Sequence, residues 1–554
     1  MTDEPTSPPA SDTAVPTRST SAAGPDQESP EATAVPRSGA KTEHEPPEGA
    51  SRRARWSGPD AERDDEAVLD YEAVARWTVL READEPVAEM FSVSYIAGTQ
   101  DSPADLDRPV TFVFNGGPGA SSAYLHLGAL GPSRVAFNDD GTAPPPPSRL
   151  VPNEESWLAF SDLVFIDPIG TGFSRLVKPE KTDNGGASAG SNGKGGGATP
   201  PGPDADKAAK RFFAFQRDLD SIGEFIRRWL TAHDRWGSPI FIAGESYGGY
   251  RVARLAKLLP EKYGVGLNGV VIISPALELS LLAPGDYDIA AWVDLLPTMA
   301  AAAHQNGLGR VLDTDTDIAA VIAAAEEFAT SDYVAFLTQG AAMPAERRTE
   351  ILGRVADFIG LSPELLERAE GRVPIYRYVR ELRAGNGEVV GLYDASMVSA
   401  NPFPDRDGMS WPDPTLSGIE RIFAAGANQQ IRSVIGVDTD REYFLLSHEV
   451  NQSWTEDGER SWAAPPQGAV DDLRYALALN PHTRYFLCHG RFDLVTPYHS
   501  SDRLVNLMRL REHDQSRLTT EHYLGGHMFY TWTESRRAFR DAMARFYAEA
   551  TARP

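Results

Sequence analysis

The 554-residue chain has a single cysteine, Cys488. No intramolecular disulfide can form, so packing alone must hold the fold. The residue lies in the apolar run Tyr485-Phe486-Leu487-Cys488, which reads as a buried strand rather than a reactive thiol. Positive charge is scarce. The 53 Lys and Arg stand against 79 Asp and Glu, a net charge of −26. That balance argues against nucleic acid as a partner and says nothing about fold. No apolar run is long enough to span a bilayer, so no membrane partner is expected. The opening residues MTDEPTSPPASDTAVP lack the basic and apolar regions of a secretory signal, and a cytoplasmic location is the default expectation.

Large apolar residues are also nearly absent from residues 1–62, which are rich in Pro, Ser, Thr, Ala and Glu. Such a segment cannot bury enough surface to offset its ordering entropy and is expected to be disordered. Patterning begins near Val68. Arg76–Leu80 and Met90–Ile96 read as an antiparallel strand pair. Val110–Phe114 and Leu163–Asp167 read as buried strands. Residues 184–203 are a Gly/Ser/Ala/Pro tract, expected as a flexible insertion. Phe212, Phe215, Leu219, Ile222, Ile226 and Trp229 recur at steps of three and four, which places them on one helical face. Residues 239–243 and 270–274 are further apolar strands. Residues 281–435 are Ala-rich and helical in pattern, without strand–helix alternation, and are expected as a helical cap insertion. Alternation returns at Arg484, and Ser535–Tyr547 is an amphipathic helix. The expected architecture is a mostly parallel sheet flanked by helices, built from residues 63–280 and 436–554.

Gly244-Glu245-Ser246-Tyr247-Gly248 has the G-x-S-x-G form of a nucleophile elbow. There a strand turns so tightly into a helix that only small residues can flank the serine, whose hydroxyl is left exposed. With 48 glycines in 554 residues, about 0.2 such matches arise by chance, so the motif alone is weak. Context strengthens it, because an apolar strand precedes it and a helical pattern follows. The elbow belongs to the α/β-hydrolase fold, which places its acid and then its histidine after the serine. Asp493 follows the strand ending in Phe486-Leu487-Cys488, and His527 follows Gly525-Gly526. In this reading His527 takes the proton of Ser246 and Asp493 orients the ring. Acyl transfer also needs donors aimed at the developing oxyanion. The backbone N–H of Tyr247 is one candidate, and the glycines of Asn115-Gly116-Gly117-Pro118-Gly119 allow close backbone approach for a second.

Four separated segments resemble the serine carboxypeptidase family. These are Asn115-Gly116-Gly117-Pro118-Gly119-Ala120-Ser121-Ser122 with Leu130-Gly131-Pro132-Ser133, Phe165-Ile166-Asp167-Pro168-Ile169-Gly170-Thr171-Gly172-Phe173-Ser174, the serine segment, and Gly525-Gly526-His527-Met528. The similarity covers residues 110–280 and 480–548 in order. The resemblance implies that Gly117 and Tyr247 supply the oxyanion-hole N–H groups. It also implies that Asn115 and Glu245 bind the C-terminal carboxylate of a peptide. Two carboxylates approach closely only by sharing a proton, so Glu245 would have to be protonated to do this. As a helix N-terminal acid, Glu245 has a plain structural alternative.

Departures from the family thin this network. Val113 replaces a Trp, Ala129 a Glu and Arg491 an acid, while Ala120 replaces a Cys. Arg491 could either help to hold a substrate carboxylate or sit in solvent. Asp313-Thr314-Asp315-Thr316-Asp317 begins like a calcium loop, but Ile318 and Ala324 occupy the required Gly and Glu positions. His448-Glu449 meets Gln452 where a zinc protease needs a second His. No cofactor and no metal is expected. The expected function is a serine carboxypeptidase acting on peptides with a free C-terminus, with a homodimer left open. The alternatives are an esterase, amidase or acyltransferase on the same triad, and behind them a non-catalytic binding protein.

Overall fold

The computed structural model describes residues 44–59, 68–98, 105–177, 211–313, 315–406, 413–455 and 468–552. The insertion expected at 184–203 and much of the disordered segment expected at 1–62 lie outside the described residues. Part of the latter departs from expectation. Residues 50–57 form a strand, β1 (Ala50–Ser57), which pairs antiparallel along β2 (Val68–Glu82). The sequence ASRRARWS looked too polar to pack, but a strand needs apolar groups on one face only. Arg53 and Arg55 are exposed, whereas Trp56 is buried and its indole N–H donates to the Asn153 carbonyl at 2.7 Å.

β2 pairs antiparallel with β3 (Glu85–Ala97), Trp77 lying opposite Phe91. Then come β4 (Val110–Phe114), the small hairpin β5 (Ser133–Val135) and β6 (Leu150–Pro152), and β7 (Asp162–Ile166). They are followed by β8 (Arg175–Leu176), β9 (Ile240–Glu245), β10 (Gly269–Ile273), the hairpin β11 (Glu388–Val390) and β12 (Val398–Ala400), β13 (Arg484–Gly490) and β14 (Leu518–Tyr523). The main sheet runs β1-β2-β3-β7-β4-β9-β10-β13-β14, with β8 beside β3. It is antiparallel through the β3–β7 pair and parallel from β7 onward. This is the α/β-hydrolase arrangement expected from the sequence.

The parallel strands are buried on both faces, as their continuous apolar runs require. Val113, Phe165, Ala243, Val271 and Phe486 point into one cluster, covered by the C-terminal helix Thr533–Thr551. Phe112, Val164, Ile242, Ile272 and Leu487 point into the other, covered by the helices Phe215–Ala232 and Tyr247–Leu258. The strand order reverses between β4 and β9: from β4 the chain moves outward to β7, then returns to lay β9 on the other side. At such a point a crevice opens beyond the carboxyl ends of the strands. Asn115 and Ser246 are the first residues after β4 and β9.

Residues from Ile289 to Glu381 form helices around a core of their own, including Trp292, Met299, Phe328, Phe358 and Leu366. That core also takes Phe492, Leu494 and Tyr498 from the segment after β13. Two features add detail to the mainly helical insertion expected over residues 281–435. The β11–β12 hairpin interrupts it. The helix Pro414–Asn428 packs with the sheet instead, because Ile419, Ile422 and Phe423 share a face that meets the core, Phe423 lying 4.9 Å ring to ring from Tyr124. Among the described residues no helix is long and apolar enough to cross a membrane.

If β1 is an integral edge of the sheet, Trp56→Ala should lower stability by about 3–5 kcal/mol, the usual cost of truncating a buried aromatic. A reduced Tm by circular dichroism checks this. An unchanged Tm would mean that residues 50–57 are not held in the sheet.

Candidate active site

Crowding around Ser246 explains the glycines of its motif. Ser246 adopts φ 62° and ψ −123° between the end of β9 and the helix Tyr247–Leu258. This region strongly disfavours a side chain, and such strain persists only where the surroundings enforce it. The Ser246 amide donates to Ile273 O at 2.9 Å, and its carbonyl accepts from Gly249 N at 2.8 Å. A Cβ at Gly244 would stand 2.3 Å from Gly248 O, and one at Gly248 would stand 2.6 Å from Phe114 O. A Cβ at Gly116 would lie 2.4 Å from Tyr247 N. The glycine-rich loop after β4 is thus pressed against the first turn of the helix. N–H groups of that turn have no intrahelical acceptor. Gly117, in the same loop, has φ +98°.

His527 and Asp493 meet beyond the ends of β14 and β13. His527 Nδ1 lies 2.7 Å from Asp493 Oδ2, and both side chains are buried. Asp493 Oδ1 accepts from the amides of Val495 at 2.9 Å and Thr496 at 3.0 Å, and Oδ2 accepts from Thr496 Oγ1 at 2.6 Å. Burial works against a charged His527 ring. The charge and hydrogen bond of Asp493, with a further push from Glu245, outweigh burial and hold the ring above its ordinary pKa.

The histidine loop is clamped by residues that sequence reasoning missed. Its His527 amide donates to Tyr393 O at 2.5 Å, and the Ser274 hydroxyl donates to His527 O at 2.8 Å. Asp394 accepts from Gly526 N at 2.9 Å and from Trp532 Nε1 at 3.2 Å. The Tyr393 ring stands edge-on to His527 at 5.3 Å. A Cβ at Gly526 would meet Tyr393 O at 2.0 Å. The second glycine of Gly525-Gly526 is therefore a close-approach residue. No local pattern marks Tyr393 or Asp394, which lie more than 130 residues before the loop they hold.

Glu245 is buried beside Ser246. Asn115 Nδ2 donates to its Oε2, and the Tyr530 hydroxyl donates to Oε1 at 3.0 Å and Oε2 at 2.9 Å. Asn115 is itself oriented, its Oδ1 accepting from Leu125 N at 3.0 Å and its carbonyl from Arg251 at 2.5 Å. Burial pushes the Glu245 carboxyl up to about 7, against the opposing pull of His527, Tyr530 and Asn115.

Asn115, Gly117, Glu245, Ser246, Tyr247 and His527 line one cavity of about 200 Å³. Its apolar walls include Tyr124, Leu279, Leu446 and Trp454. Asp493 sits behind His527. Thus the structure brings together every residue singled out in the sequence for the site. Arg491 is the exception among the wider set. It does not line this cavity. Its guanidinium lies over the Tyr498 ring at 4.2 Å and 3.6 Å from Glu326, and so links the loop after β13 to the helical region. Val113 is a core residue, and Ala129 is buried, its carbonyl accepting from Asn153 Nδ2 at 2.6 Å.

The sequence profile of the family described as serine carboxypeptidase matches residues 89–300. Serine carboxypeptidase-like 36 of Arabidopsis thaliana is 31% identical over 175 residues, 31% of this chain and 29% of that protein. Pheromone-processing carboxypeptidase KEX1 of Saccharomyces cerevisiae is 48% identical over 75 residues, 13% of this chain and 9% of that protein. The matched segments span less than a third of the length of these curated relatives. The crystal structure of a KEX1 prohormone-processing carboxypeptidase from Saccharomyces cerevisiae superposes with TM-score 0.48 and 16% identity, covering 89% of this chain and 94% of the other.

A fluorophosphonate should label Ser246 at one equivalent, and Ser246→Ala should abolish labelling, as read by intact mass. Gly526→Ala should slow it ~10²-fold, since a displacement of the base by about 1 Å has that effect. Wild-type labelling rates in Gly526→Ala would show that the clamp does not position His527.

Proposed function

From the match of residues 89–300 to the serine carboxypeptidase profile, we propose that the chain removes C-terminal residues from peptides through an acyl-enzyme on Ser246. The observation that carries this reading is a buried carboxyl, Glu245, held beside the serine in the same cavity. A simple esterase has no use for a group that is costly to bury. An acid kept neutral, by contrast, can donate to a carboxylate that a charged acid would repel.

In this mechanism Ser246 Oγ attacks the carbonyl carbon of the last peptide bond and its proton passes to His527 Nε2. Asp493 holds the ring through Nδ1 and stabilises the imidazolium. The tetrahedral oxyanion accepts hydrogen bonds from the N–H groups of Gly117 and Tyr247. Collapse breaks the C–N bond, and the proton on His527 passes to the departing amine. Water, deprotonated by His527, then attacks the Ser246 ester and releases the shortened peptide. Throughout, protonated Glu245 and the second hydrogen on Asn115 Nδ2 hold the C-terminal carboxylate. The substrate is a peptide with a free C-terminus.

The sign of the pH dependence follows from the two proton sites. His527 must be neutral to act as base, so activity is lost as pH falls through its raised pKa. Glu245 must be protonated to hold the carboxylate, so binding of free acids is lost as pH rises through about 7. An N-blocked dipeptide should therefore lose kcat/KM above that point, tending to ~10-fold per pH unit, while its ester should rise to a plateau. Glu245→Gln, a permanent donor, should remove the alkaline fall for the free acid. Equal rates on the free acid, its amide and its ester at pH 6 would instead select a general esterase or amidase.

A further inference from the structure

We infer that Tyr530 is a positioning residue for Glu245, holding the carboxyl toward the cavity and setting the pH above which a C-terminal carboxylate is no longer bound. The inference rests on the carboxypeptidase reading of the site and extends it to a residue outside the recognised motifs.

The geometry is specific. Tyr530 lies on the short 3-10 turn Phe529–Thr531 that follows the histidine loop, and it is fully buried. Its hydroxyl reaches both oxygens of Glu245, at 3.0 and 2.9 Å. Space for the ring comes from Gly128, where a Cβ would stand 2.6 Å from Tyr530 Cε2. With Asn115 donating to Oε2 from the opposite chain segment, the carboxyl is held between two neutral donors. Tyr530 donates to the carboxyl in either protonation state, so the proton of neutral Glu245 is left to face the substrate.

The consequence for pH follows from which form the donors favour. Hydrogen bonds given to a carboxyl stabilise its ionised form and oppose the effect of burial. Without the phenol, Glu245 would keep its proton to higher pH. The other ionisable groups around it are His527 and Asp493 on the loops after β14 and β13, Tyr124 beyond the glycine-rich loop, and Cys488 on β13. Burial pushes Tyr124, Tyr530 and Cys488 upward, which keeps them neutral near pH 7. Against the effect of burial, Asp493 and Glu245 hold His527 above its ordinary pKa, and its charge acts in turn on Glu245.

Measuring a ratio removes the contribution of His527. The kcat/KM of an N-blocked dipeptide acid, divided by that of its own ester, cancels the titration of the base and any loss of folded enzyme. It leaves the protonation of Glu245. Across pH 5–9 this ratio should fall in the wild type. In Tyr530→Phe its midpoint should move up by ~1–2 pH units, the equivalent of one hydrogen bond to a charged group. The change should reside in KM of the acid rather than in kcat. A ratio that falls with pH in the wild type and has the same midpoint in Tyr530→Phe overturns the role of Tyr530 alone. A wild-type ratio near one at every pH overturns the carboxypeptidase reading, and this inference with it.

Discussion

Where β9 meets the helix that follows it, the chain reverses direction over one residue, Ser246, at φ 62° and ψ −123°. No nearby backbone can relax this turn. Gly244 abuts Gly248, Gly248 abuts the end of β4, and Gly116 abuts the amide of Tyr247, each at distances that exclude a methyl group. The strain is thus shared by two adjacent strands of a packed sheet, which is what allows it to persist. The same crowding sets Ser246, the glycine-rich loop and the first turn of the helix around one small volume, at the point where the strand order reverses.

That volume places two proton sites close together. Glu245 and His527 influence one another's charge. The proposed chemistry needs the acid protonated and the imidazole free. The surrounding structure biases how a single proton is distributed. Asp493, with Thr496 and two backbone amides behind it, favours a charged His527, while burial favours a neutral Glu245. Both biases require water to be kept away, which the apolar walls of the cavity and the buried positions of both groups provide.

The helical region does more than cover the sheet. Tyr393 and Asp394, just beyond β11, take hold of the backbone of the histidine loop. The buried core of the region runs into the loop after β13 through Phe492, Leu494 and Tyr498. The acid and the histidine are therefore positioned from the side opposite the sheet. Arg491, stacked on Tyr498 beside Glu326, belongs to this linkage rather than to the cavity.

The order of serine, acid and histidine, their strand–loop contexts and the glycines around them were legible from the sequence alone. Each is a local pattern, in which steric demands act on neighbours in the chain. The parallel sheet was legible for the same reason, since strands buried on both faces must be continuous apolar runs. What only the tertiary structure decided is non-local. Tyr530 reaches Glu245 across 285 residues, and Asp394 reaches Gly526 across 132. β1 looked unstructured because a strand with one polar face carries too weak a signal to stand out beside a Pro-rich segment. The helix Pro414–Asn428 left the cap because its apolar face matched the sheet's core better than its position in the sequence suggested. Hydrogen bonds and packed faces leave no periodic mark when their partners lie far apart along the chain, so the sequence could name Ser246, Asp493 and His527 while the fold selected what surrounds them.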